Sequence, residues 1–150
     1  MLKKTISYET FDGETVTEDF YFNLTKAELS DKQFSVSGGL SNLMEQIVKT
    51  SDTTKMYNLF KELILSAYGV KTADGRGFKK SKEISDDFSH SEPYSIIFME
   101  LMSSVDAAVA FVTGILPKDM QTNARNDIMK ELKKLEADTD AGDSDANTTS

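Results

Sequence analysis

Cysteine is missing from the 150-residue chain, so disulfides and thiolate metal sites are excluded. Histidine occurs once, at His90. A catalytic triad or a histidine metal site would have to be assembled around that single ring, and a solvated turn histidine accounts for it more simply. No apolar run is long enough to cross a membrane. The opening MLKKTISYET turns polar at once, which leaves no apolar stretch for a signal peptide. Cations are outnumbered 17 to 25, for a net charge of −8. That balance disfavours nucleic acid and anionic lipid as partners and favours solubility. With neither cysteine nor a leader, the expected setting is the cytosol.

Catalytic chemistry finds little support in the residues present. Carboxylates are plentiful, but no pair sits in an apolar frame that would raise a pKa for acid–base work. Asp12, Glu14, Glu18 and Asp19 read as the wet face of a hairpin. The stretch Gly75-Arg76-Gly77-Phe78-Lys79-Lys80-Ser81 lacks the glycine spacing of a phosphate loop, and no buried strand leads into it. Asp138-Thr139-Asp140-Ala141-Gly142-Asp143 lacks the third ligand and the terminal glutamate of a calcium loop. The basic loop around Lys79 and Lys80 is expected to be a solvated turn or a contact for an acidic partner. No cofactor and no metal is expected, and the protein is expected not to be an enzyme.

What the chain does have is apolar patterning, with 39% apolar residues, enough for one domain with a core. Ile6, Tyr8, Val16, Phe20 and Phe22 all occupy even positions, the alternation of a β-hairpin. A two-residue Asp12-Gly13 turn would pair even with odd positions and split the apolar set. A three-residue loop, Phe11-Asp12-Gly13, sets Tyr8 opposite Val16 and Ile6 opposite Glu18, which keeps the set on one face. Thr25 and Glu28 have capping-box spacing, with Leu24 and Leu29 at the staple positions. That helix is expected to end near Phe34, with a break at Ser37-Gly38-Gly39.

Further helices are expected from Leu40 to Lys49 and from Met56 to a terminating glycine at Gly69. A basic loop with a turn at Asp74-Gly75 follows, then a helical turn carrying Ile84 and Phe88 that ends near His90. Pro93 opens a helix running to about Met102, Ser103-Ser104 breaks and recaps it, and the next helix turns Val105, Ala108, Val109 and Val112 inward. Gly114 and Pro117 are expected to end that one. The fold class is thus α+β, mostly helical, an N-terminal hairpin packed on a bundle of about five helices. Residues 1–117 form the globular domain, 118–136 a marginal amphipathic helix and 137–150 a disordered acidic tail.

Apolar residues on the Pro93 and Val105 helices exceed one stripe. A central helix buried on all sides accounts for this. So does a surface that takes an apolar helix from another chain or from itself. Met99 and Met102 suit such a surface, being flexible and polarizable.

Several segments, taken in order, resemble the small tail assembly chaperones of long-tailed phages (siphophages) that infect Gram-positive bacteria. The hairpin ending Phe20-Tyr21-Phe22-Asn23-Leu24 runs into Thr25-Lys26-Ala27-Glu28-Leu29, as in that family. Tyr68-Gly69, Asp74-Gly75-Arg76, Phe78 and Lys79-Lys80-Ser81 are similar to its central block. Tyr94-Ser95, Phe98-Met99-Glu100-Leu101 and Gly114-Ile115-Leu116-Pro117 follow in order, so the likeness covers about Leu2 to Pro117. The resemblance implies a non-enzymatic protein of the host cytoplasm during infection, not expected in the mature virion. Its implied partners are the tape measure protein, which it keeps soluble, and tail tube subunits, which it helps recruit; self-association is a further possibility. The alternative is a structural minor tail or connector protein of the virion. Under the first reading Ile96, Met99, Met102, Phe111, Ile115, Ile128, Leu132 and Leu135 are expected to contact the partner.

Overall fold

The alternating N-terminal residues form two antiparallel strands, β1 (Leu2–Glu9) and β2 (Thr15–Phe22). The computed structural model describes residues 1–31, 45–49, 51–122, 125–126, 129–130 and 133–134. Tyr8 faces Val16 and Ile6 faces Glu18, the register that keeps the apolar set together. Gly13 takes a φ of +89°, and its N–H donates to the Thr10 carbonyl at 2.9 Å, closing the loop over residues 11–13. Ile6 and Phe22 are buried, while Tyr8, Val16 and Phe20 remain partly open.

The hairpin runs into α1 (Lys26–Asp31) through the capping box. The Thr25 N–H donates to Glu28 Oε1 at 3.0 Å and the Glu28 N–H to Thr25 Oγ1 at 3.2 Å. Leu24 and Leu29 are both buried. The chain between β2 and α1 is tied down by its backbone. The Asn23 N–H donates to the Ala67 carbonyl and the Leu24 N–H to the Ile115 carbonyl, at 2.9 and 2.8 Å. Each bond satisfies a carbonyl left unpaired at a helix end. The break at residues 37–39 and the end of this helix lie outside the described residues; residues 45–49 are helical.

Helix α2 (Thr53–Ala67) starts where Asp52 accepts from the Thr54 and Lys55 N–H groups. Its stripe buries Phe60, Leu63, Ile64 and Ala67. Gly69 does not close it as a left-handed cap. The helix ends in extended backbone at Tyr68, and Gly69 belongs to β3 (Tyr68–Lys71), which pairs with β2 on one side and β4 (Phe78–Lys79) on the other. The sheet thus has four strands in the order β1-β2-β3-β4 rather than two. Glycine is needed at 69 for space: a Cβ there would lie 2.6 Å from the Phe78 ring and 2.9 Å from the Lys79 carbonyl.

Three helices follow: α3 (Lys82–Ser89), α4 (Glu92–Ser103) and α5 (Val105–Ile115). Ser81, Ser91 and Ser104 cap them through side-chain oxygens, and His90 ends α3. Helices α4 and α5 meet at a bend of 119°; among the described residues no single helix is long and apolar enough to cross a membrane. Two expectations for α5 fail. Gly114 lies inside the helix, where it lets Leu2 approach to 2.8 Å of its missing Cβ. Val105 points outward, and Ala108, Phe111, Val112 and Ile115 face the core. That wheel position buries the larger side chains, which gains more transfer free energy than burying Val105 and Val109 would. The architecture is α+β and mostly helical. Beyond Pro117 the chain is helical at 118–122, 125–126, 129–130 and 133–134, and the acidic tail from 137 lies outside the described residues.

Candidate partner-binding groove

The helices leave part of the even face of the sheet open, at Tyr8, Val16 and Phe20. Eight-residue strands reach about 26 Å at ~3.3 Å per residue, and burial is complete only toward the Phe22 end. Toward the hairpin tip, Tyr8 and Phe20 of the sheet, with Val70 of β3, meet Ile84 and Phe88 of α3 and Pro93 of α4 across a groove of about 480 Å³. Phe11, in the hairpin loop, stands at its mouth and is 98% exposed. A second hollow of about 370 Å³ adjoins it, shares Tyr8 and Phe11, and reaches Ile96.

The groove floor is held by aromatic packing. Tyr68 and Phe88 stack at 3.8 Å with planes 7° apart. Phe88 touches Phe20 and Phe22 at 5.8 and 5.9 Å, and Phe22 meets Phe111 edge-on at 5.3 Å. The floor is therefore continuous with the core. Burial, then the Glu18 carboxylate that accepts its hydroxyl proton at 3.0 Å, holds the Tyr8 phenol above the ordinary tyrosine range. Burial and the same carboxylate act likewise on Tyr68. Both phenols stay neutral at physiological pH, so the floor carries no charge.

The residues expected to contact a partner separate into three groups. Met99 is 56% exposed on the outer side of α4, and Ile96 and Met102 are partly buried. Phe111 and Ile115, at 2% and 0% exposure, are sealed in the core and form no part of an open face. The extra apolar residues of α5 thus serve a helix packed on more than one side. Ile128, Leu132 and Leu135 lie outside the described residues. The structure does not gather Ile96, Met99 and Met102 into one patch. Ile96 joins the hairpin-tip hollow, and Met102 lines a smaller one of about 240 Å³ with Ile47, Met56 and Val105. The groove residues Tyr8, Phe11, Phe20, Val70, Phe88 and Pro93 were missed as a set. Their signals were the alternation that persists to the hairpin tip and a phenylalanine placed in the turn.

The basic loop is largely used within the fold. Lys80 reaches the Asn23 carbonyl and Glu28 Oε2, each at 2.6 Å, and Lys71 lies over the Tyr21 ring at 4.6 Å. Burial opposes ionisation of Glu28, but the Lys80 ammonium and the Thr25 N–H outweigh it and hold the carboxyl below the ordinary glutamate range. His90 is an exposed helix end with Nδ1 2.7 Å from the Asp86 carbonyl. Among the described residues no group of three or more His, Cys, Asp and Glu is placed to hold a metal ion.

Open, aromatic-floored grooves of this kind are surfaces on which proteins commonly take up apolar segments of other proteins. The whole chain, residues 1–150, matches the phage tail assembly chaperone family, and the protein belongs to that family. The match thus extends past Pro117, to the end of the chain. No curated protein and no solved structure matches it. Membership gives the protein a chaperone role in tail assembly and implies protein partners in that process.

Proposed function

We propose that this chaperone binds the tape measure protein in the host cytoplasm, covers its apolar helical segments, and gives way as tail tube subunits polymerise around it. Family membership supports the role in tail assembly. The observation that carries the finer reading is apolar surface left open after the core is filled, at Phe11 and Met99 above all. Long apolar helices exposed before assembly aggregate, and a transient apolar cover prevents this. The resemblance to chaperones of siphophages infecting Gram-positive bacteria points to the same kind of phage here.

Co-expression with the tape measure protein of the same phage tests the proposal. The soluble fraction of that protein is expected to rise several-fold, and an unchanged fraction sinks the idea. Mass spectrometry of purified virions separates a chaperone, which is expected to be absent, from a structural tail or connector protein, which would be present.

A further inference from the structure

We propose that the groove at the hairpin tip docks a basic amphipathic segment of the client protein, an inference that rests on the chaperone reading above. The floor is apolar and fixed, as the Tyr68–Phe88 stack shows. The charged side chains lining it are Glu9, Asp87 and Glu92, with no lysine or arginine. The adjoining hollow shares Glu9 and Glu92 and likewise holds no cation. Among the described residues none of these three acids is in an ion pair, while Lys4, Lys26 and Lys80 are paired with acids elsewhere.

An apolar trough with a one-signed rim selects both features of its occupant. Apolar side chains fill the floor, and lysine or arginine flanking them meets the rim. The chain's own tail is a poor occupant, because Asp138, Asp140, Asp143 and Asp145 would face like charge. Phe11 is the clearest sign that something covers the site. The turn holds an aromatic ring in water where a polar residue would serve the bend as well.

Labelled peptides of about 20 residues, long enough for a ~30 Å helix, tile the tape measure protein of the same phage and are titrated with the full chain by fluorescence anisotropy. The tightest binders are expected to be amphipathic with net positive charge. Joint replacement of Glu9→Lys and Glu92→Lys is expected to weaken them on the order of tenfold, as is joint replacement of Phe11→Ser and Val70→Ser. Val105→Ser, at an exposed position that lines neither hollow, is expected to change nothing. All these positions are exposed, and Glu9→Gln with Glu92→Gln gives a milder variant should the reversal disturb folding. The proposal is overturned if acidic peptides bind as well as basic ones. It also falls if Val105→Ser weakens binding and the groove variants do not, or if Phe11→Ser turns a dimer into a monomer in sedimentation. Co-expression separates the two levels. Wild-type chain that leaves the tape measure protein insoluble ends the chaperone reading. Groove variants that solubilise it as well as wild type end only the groove assignment.

Discussion

Single residues set this fold through space and charge that a sequence shows only indirectly. Gly69 is the sharpest case. It sits two positions past a helical stripe, where glycine ordinarily caps, yet its function is to let β3 lie against Phe78 and the Lys79 carbonyl. The Phe78 ring can swing away, but the carbonyl belongs to a paired strand. Gly69→Ala is therefore expected to cost about 1–3 kcal/mol, as overpacking does, read as a lower urea midpoint at unchanged slope. Glu28 gives a pH-dependent counterpart. Its folded pKa lies below the unfolded value, so its contribution is present above about pH 4.3 and is lost as pH falls below that. Glu28→Gln keeps the capping geometry and removes the charge facing Lys80. The variant is expected to be less stable than wild type at pH 7, with the gap closing as denaturation is followed down through pH 4.

Elements whose residues speak for themselves locally were legible. The hairpin register followed from period-two alternation and one glycine, because a one-residue slip would have turned Tyr8 and Phe20 to water. The capping box and the serine caps were equally plain. Ser104 ends α4 and starts α5, accepting from the Ala107 N–H at 3.1 Å. Ser104→Ala is expected to lower stability by about 1 kcal/mol in thermal denaturation, the usual loss of an N-cap. Strands β3 and β4 were not legible, since four and two residues carry too little alternation to stand out from a basic loop. β3 pairs with β2, which is distant in sequence, and β4 joins the sheet only through β3. The facing of α5 was misjudged for a related reason. Val105, Val109, Phe111 and Ile115 offer two candidate stripes, and only the neighbouring Phe22 ring decides between them.

At the scale of the whole molecule, apolar surplus was visible in the sequence but its place was not. Counting side chains on α4 and α5 left two readings open, a helix buried on all sides and a surface that takes another helix. Packing decides for the first at Phe111 and Ile115, which lie inside, and leaves open hollows at the hairpin tip and beside Val109 and Met129. The hairpin-tip groove is built by strands, a loop and two helices together, so no single element carries it. Under the groove proposal, the net charge of −8 and the acidic rim act together to draw a basic segment toward the aromatic floor. Hydrogen–deuterium exchange of the full chain with and without its tape measure protein tests this most directly. Added protection is expected around residues 8–11 at the hairpin tip and 84–93 at the α3–α4 junction. Protection confined to the hollow lined by Met56, Met102 and Val105, or none at all, would contradict it.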